Sequence, residues 1–288
     1  MYLKTCKRLV VAVLIIGMLV FVCYVENYTS RAWWWWCCNR SVAWKPWKHP
    51  TYSVQWQRLD ASSMQTVAFI VMTSSLTKEL YLSQLRTWLR DVPNVWAFSD
   101  EYDGLFVHTL PSLYGKNTYS DAQHRQLRGM QWLYRNQEKI LGVEWLFLID
   151  DDTWINLPVF SRALSLLDSS SSMLCGYEYE SGMFNGGAGI LLSRPAYDTI
   201  TPRLYSDACP FLGVNDNTIT ECARKSNVTM MHSGMFSFYP AKIDSAVDFI
   251  EQISIHPVKE YALMEAMTST SSNFYAGRVN ASFTSQEG

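Results

Sequence analysis

The segment WLFLIDDDTW, residues 145–154, constrains the chain most. Five apolar residues, Trp145 to Ile149, run straight into Asp150, Asp151 and Asp152. An unbroken apolar run that short, with branched and aromatic members, suits a strand covered on both faces. The carboxylates that end it must reach solvent or a cation, so the strand has to emerge there at an edge of its sheet. In open α/β sheets that carboxyl edge is where ligands sit. Extended geometry would point Asp150 and Asp152 one way and Asp151 the other. Two carboxylates can thus approach one hard cation, Mn²⁺ or Mg²⁺, which would also offset the repulsion of three adjacent anions. A solvated turn or helix-capping cluster is the competing explanation.

The surrounding pattern alternates strand-like and helix-like segments from Thr66 onward, which predicts an α/β fold with a mostly parallel sheet and helices on both faces. TVAFIVMT (66–73), NVWAFSD (94–100), LFVHTL (105–110), MLCGYEY (173–179), AGILLS (188–193), VTMMHS and QISIHP are the strand candidates. Helices are expected over 76–91, 122–139, from the Asn156-Leu157-Pro158 start, and near 218–225.

Outside this region the N-terminus carries Lys4, Lys7 and Arg8 ahead of an uncharged run from Leu9 to Val25. At about 1.5 Å per residue this barely crosses a hydrocarbon core of roughly 30 Å, and its basic flank would stay cytoplasmic. The expected organisation is a tail (1–8), a signal anchor (9–25), a stem (26–63) and a lumenal domain (64–288). Ser30-Arg31-Ala32 would equally serve as a signal-peptidase site, but the run is longer than most secretory cores. Trp33 to Trp36 read as an interfacial belt. Asn39, Asn227 and Asn280 begin N-glycosylation sequons. Five cysteines follow the apolar run, without the CxxC pairs of a zinc site, and Cys209 and Cys222 could close a short loop. The net charge of -2 argues against a nucleic-acid partner.

Three further places carry chemistry. In MFNGGAGILLSR the glycines Gly186, Gly187 and Gly189 permit close backbone approach and unusual dihedrals, so a bulky ligand could lie against the chain, although by themselves they are better explained by a tight turn between strands. Asp216, in CPFLGVNDNTITEC, is either a helix cap or a general base. His256, in QISIHP, is either structural or a metal ligand.

In this order these pieces, with VMTSSLTKELYLSQLRTW, AFSDE and SIHPVKE, resemble the Fringe-like β1,3-glycosyltransferases over about Thr66 to His256. The resemblance implies a GT-A fold, an inverting transfer from a UDP-sugar to a glycan or glycoprotein acceptor, usually with Mn²⁺, and a type II protein of the Golgi or endoplasmic reticulum membrane. It implies Asp150, Asp152 and His256 as metal ligands and Asp151, Thr73, Ser99, Asp100 and Arg128 on the nucleotide. Phe184, Asn185, Gly186 and Gly187 would face substrate. Asp216 matches the second carboxylate of the family's Asp-Asp pair, the base; here its predecessor is Asn215. That departure motivates the alternative of a non-catalytic lumenal sugar-binding or chaperone-like relative.

Overall fold

A computed structural model describes residues 64–90, 92–101, 107–109, 118–179, 181–238 and 249–284. The tail, anchor and stem, with Asn39, lie outside the described residues. Among the described residues no helix is long and apolar enough to cross a membrane.

A seven-stranded sheet forms the centre, in the order β3-β2-β1-β4-β7-β6-β8. Its members are β1 (Val67–Met72), β2 (Val95–Ser99), β3 (Val107–Thr109), β4 (Trp145–Asp150), β6 (Met173–Gly176), β7 (Ile190–Ser193) and β8 (Thr229–His232). β1 to β4 are mutually parallel, and β6 is parallel to β8. β7 is the exception, antiparallel to both β4 and β6, because the segment after Gly176 folds back through an antiparallel bridge between Glu178 and Phe184. The expected mostly parallel sheet therefore contains one reversed strand. With β7 opposed to both neighbours, β4 and β6 run the same way.

Side chains alternate strictly on the central strands. Phe69, Val71, Phe147 and Ile149 enter one core with Trp88, Phe160, Met264 and Tyr275. Ala68, Ile70, Leu146 and Leu148 enter the other with Leu127, Met130, Leu133 and Tyr197. Helices α1 (Lys78–Arg86), α3 (Leu157–Leu164) and α6 (Tyr261–Thr284) serve the first face; α2 (Tyr119–Arg135), α4 (Arg194–Ile200) and α5 (Asn215–Lys225) serve the second. α2 starts at Tyr119 because Thr118 and Asp121 form a capping box, three residues before the expected start at 122. It ends at Arg135, and a short 3₁₀ turn over Gln137–Ile140 replaces its expected last turn. α6 has no counterpart in the sequence reading: its buried positions Met264, Met267, Ser271 and Tyr275 include a serine, which the apolar pattern skipped.

A second, three-stranded sheet joins β5 (Trp154–Ile155), β10 (Ser254–Ile255) and β9 (Phe236–Ser237) in the order β5-β10-β9. β5 follows the acidic triplet directly, and its antiparallel pairing with β10 brings the residues after Ile255 back to that turn.

Candidate active site

Local packing holds the acidic turn from both faces of the sheet. Gln84 of α1, fully buried, donates from Nε2 to the carbonyls of Asp150 (2.9 Å) and Thr153 (2.8 Å). Gln126 of α2 donates to the carbonyl of Ile149 at 3.3 Å from the opposite face. Thr153 donates from its hydroxyl to the carbonyl of Gly187 at 2.8 Å, so the turn is also tied to the glycine loop.

Within the turn the three carboxylates separate as alternation predicts. Asp151 turns toward β1 and accepts from the hydroxyl of Thr73 at 2.8 Å. Asp150 and Asp152 face His256, whose Nε2 lies 3.7 Å from Asp150 Oδ2 and 3.0 Å from Asp152 Oδ1. Ligand atoms of these three side chains all lie within 4.8 Å of one another. His256 is delivered by β10 and locked by a bond from Val258 N to the carbonyl of Asp152 at 2.7 Å. Its ring lies flat on the glycine loop: a Cβ on Gly187 would come within 2.3 Å of its Cε1 and 2.6 Å of its Nε2.

The electrostatics suit a cation. Burial pushes the Asp150 carboxyl up to about 7; His256 opposes that rise, and the charges of Asp152, Asp151 and Asp216 add to it. Burial also lifts Asp151 to about 6, against the hydrogen bonds from Thr77 and Thr73. Burial acts to lower His256, but the hydrogen bond and charge of Asp152, with Asp150, leave it raised. Two carboxylates and one imidazole at this spacing fit a hard or borderline divalent ion such as Mn²⁺ or Mg²⁺.

Asp216 stands in the first turn of α5, on the other side of the glycine loop. Its Oδ2 accepts from Gly186 N at 3.1 Å and its Oδ1 from Asn217 N at 2.7 Å. A Cβ on Gly186 would lie 3.1 Å from Asp216 Cβ. The adjacent glycines thus back onto different functional groups, Gly186 onto Asp216 and Gly187 onto His256. Asn215 is buried: its Nδ2 donates to Gln126 Oε1, its backbone N donates to Gln123 Oε1 at 3.0 Å, and its Oδ1 accepts from Asp216 N at 2.8 Å. Gln126 therefore links the carbonyl end of β4 to the start of α5. Neither Gln126 nor Gln84 stands out in the sequence, because a polar residue on a helix reads as exposed until its buried partners are known.

Other expected residues fall in three groups. Asp100 caps the loop after β1, accepting from Ser75 N and Ser75 Oγ, both at 2.7 Å, and from Ser99 Oγ at 3.1 Å. Burial works to raise the Asp100 carboxyl, yet these bonds hold it below the usual range. Arg128 lies elsewhere, with its guanidinium 4.1 Å from the Tyr205 ring centroid. One helical turn earlier, the buried Arg125 feels the charges of Asp100, Asp121 and Asp151, and sequence reasoning passed it over. Phe184 is a correction: it is fully buried in the second core, beneath the loop and not on its outer surface. Asn185 is buried too, donating from Nδ2 to the Tyr179 hydroxyl.

Cys209 and Cys222 form a disulfide that fixes the segment leading into α5. Asn227 is exposed, with φ 56°. It ends α5 in a Schellman cap, since Val228 N bonds to Ala223 O and Asn227 N to Arg224 O. The side chain of Asn280 lies outside the described residues.

Several known proteins are similar to this chain. The human and mouse proteins named beta-1,3-glucosyltransferase are each 28% identical to this chain, over 149 and 138 residues. Those matches cover 46% and 41% of this chain but only 28% and 27% of the relatives, so the chain spans little more than a quarter of their length. A weaker structural likeness, TM-score 0.44 at 11% identity over 70% of this chain and 98% of the other, links it to a glycosyltransferase involved in the glycosylation of the major capsid of PBCV-1. The Fringe-like family profile matches residues 64–256, well over half of the 288 residues and a span that holds the acidic triplet, the glycine loop, Asp216 and His256. The chain belongs to the Fringe-like family of β1,3-glycosyltransferases.

Proposed function

We propose that this chain is an inverting, metal-dependent transferase of GT-A type that moves a hexose from a UDP-sugar to a hydroxyl of a glycan or glycoprotein, forming a β1,3 linkage. The observation that carries the reading is the contact of one glycine loop with both His256 and Asp216. A cation-binding group and a carboxylate of separate role are thereby set side by side.

Asp150, Asp152 and His256 would hold Mn²⁺ or Mg²⁺, which supplies positive charge to the leaving diphosphate. Asp151, steadied by Thr73, orients the nucleotide, with Ser99 and Asp100 shaping the loop beside it. Asp216 accepts the proton of the acceptor hydroxyl as that oxygen bonds to the anomeric carbon and the bond to the UDP oxygen breaks. The names of the human and mouse relatives put glucose first among donors to try. Asn215 would motivate a non-catalytic relative, yet its amide is used in the link to Gln126 while Asp216 keeps its carboxylate at Gly186. The apolar run at 9–25 would anchor the chain in the Golgi membrane with its sequons lumenal.

The test is UDP release from a UDP-sugar panel with Mn²⁺, with and without acceptor glycans. Release that Asp216→Asn abolishes while UDP binding persists supports the reading. Absence of release with every donor and acceptor defeats it.

A further inference from the structure

One run of hydrogen bonds passes from the metal turn to Asp216 through two buried amides. Gln126 of α2 donates from Nε2 to the carbonyl of Ile149, the residue before Asp150, at 3.3 Å. Its Oε1 accepts from Asn215 Nδ2. Asn215 Oδ1 then accepts from the backbone N of Asp216 at 2.8 Å, and Asp216 Oδ2 accepts from Gly186 N at 3.1 Å. One turn back along α2, Gln123 Oε1 accepts from Asn215 N at 3.0 Å, so a single helix face grips Asn215 by backbone and side chain together.

The ends of this run dictate its middle. The carbonyl oxygen of Ile149 only accepts, and the backbone N–H of Asp216 only donates. Each side chain between them must donate at one atom and accept at another, which a carboxamide does and a carboxylate does not. Gln126 and Asn215 are both buried, so a mismatch would leave two acceptors facing each other away from water. Asn215, the departure from the family's Asp-Asp pair, is thus the residue that Gln126 requires. Gln84 offers a contrast on the other face of the sheet. It donates to the carbonyls of Asp150 and Thr153, and its Oε1 has no partner among the described residues, so its tie ends at the turn.

We infer that Gln126 and Asn215 are paired positioning residues that hold the Asp216 carboxylate in register with the metal turn. The inference rests on the transferase reading, in which metal and base act on opposite sides of one anomeric carbon. A base that drifts from that separation loses its line to the acceptor hydroxyl, even with metal and nucleotide fully bound. Neither amide exchanges a proton with substrate; the pair acts through the backbone of Ile149 and of Asp216.

Two measurements on the full chain test this: amide hydrogen exchange at Gly186, whose N–H is held by Asp216, and kcat beside KM for the UDP-sugar with Mn²⁺. Gln126→Met and Asn215→Ala should each speed Gly186 exchange and lower kcat by about tenfold, the loss expected for one buried hydrogen bond, with donor KM within about twofold. The double variant should be no worse than the stronger single, since both open the same run. Gln84→Met should weaken Mn²⁺ binding and leave Gly186 protected. Gln126→Glu changes one atom, keeps the acceptor for Asn215 and sets an acceptor against Ile149 O; it should repeat the loss where the larger change prevents folding. Unchanged Gly186 exchange in the folded variants overturns the inference, as do effects that multiply in the double variant. Equal loosening of Gly186 by Gln84→Met would overturn it too, as a general softening of the turn. A chain that transfers no sugar with any donor and acceptor removes the transferase reading, and Gly186 exchange then decides the pairing alone.

Discussion

Replacing Gly187 by alanine separates the metal half of the site from the base. The new Cβ would stand 2.3 Å from Cε1, 2.5 Å from Nδ1 and 2.6 Å from Nε2 of His256. Ordinary contact begins near 3.4 Å, so the ring or the loop must retreat by about 1 Å. Gly187 does not use a left-handed dihedral, and alanine adds no backbone strain there. The imidazole starts 3.0 Å from Asp152, and a displacement of that size removes it from the ligand set. Misplacing a functional group by about 1 Å costs on the order of 10²-fold, which is about 2.7 kcal/mol. Mn²⁺ affinity, read from the free-ion resonance in electron paramagnetic titrations with UDP present, should fall by about that factor. Gly186→Ala is the matched control: its Cβ meets Asp216 at 3.1 Å, so turnover should drop while Mn²⁺ affinity holds. Equal Mn²⁺ affinity for wild type and a folded Gly187→Ala chain would refute the placement of His256 as a ligand.

The remaining predictions address single links. Asp152→Ala should abolish Mn²⁺-dependent UDP binding, with calorimetry as the measurement. Because the ligand Asp150 is raised to about 7, protons compete there with the metal, and apparent Mn²⁺ affinity should climb up to about tenfold per pH unit below pH 7 and level off above it, while Asp151, raised to about 6, titrates on the nucleotide side. The metal-free fold binds more protons than the unfolded chain between pH 3.8 and about 7, so these two groups make stability fall as pH rises through that window. Thermal melts with and without Mn²⁺ would reveal it. Asn215→Asp places an acceptor against Gln126 Oε1; Gln126 must turn, Ile149 O loses its donor, and the chain should lose about 1–3 kcal/mol and not gain activity. Opening the disulfide with Cys209→Ser and Cys222→Ser should cost about 3 kcal/mol in a denaturant titration, from the loop it closes in the unfolded chain.

Sequence revealed most where one residue type dictates one environment. The apolar run ending in three carboxylates placed β4 and its edge, and strand alternation separated Asp151 from Asp150 and Asp152. The partners that steady this turn were harder to read. Gln84, Gln123 and Gln126 are buried polar residues on helices, and polarity alone predicts exposure for them. Their value appears only with the carbonyls of Ile149, Asp150 and Thr153, which are distant in sequence. Phe184 was misassigned for the converse reason: the family resemblance placed it facing substrate, while its ring fills the core. Arg125 and Arg128 differ by about one helical turn, which no linear pattern distinguishes near a helix start.

The pairing of β5 with β10 also has a thermodynamic consequence. Asp152 and His256 close a long stretch of chain, and the bond from Val258 N to Asp152 O holds it by backbone alone. A cation bound between Asp150, Asp152 and His256 would act as a removable crosslink, lowering the entropy of every partly opened form in which α6 and the small sheet detach. Amide hydrogens of β10 and α6 should then exchange more slowly when Mn²⁺ is added. The protein would gauge its metal through the cohesion of its small sheet and last helix.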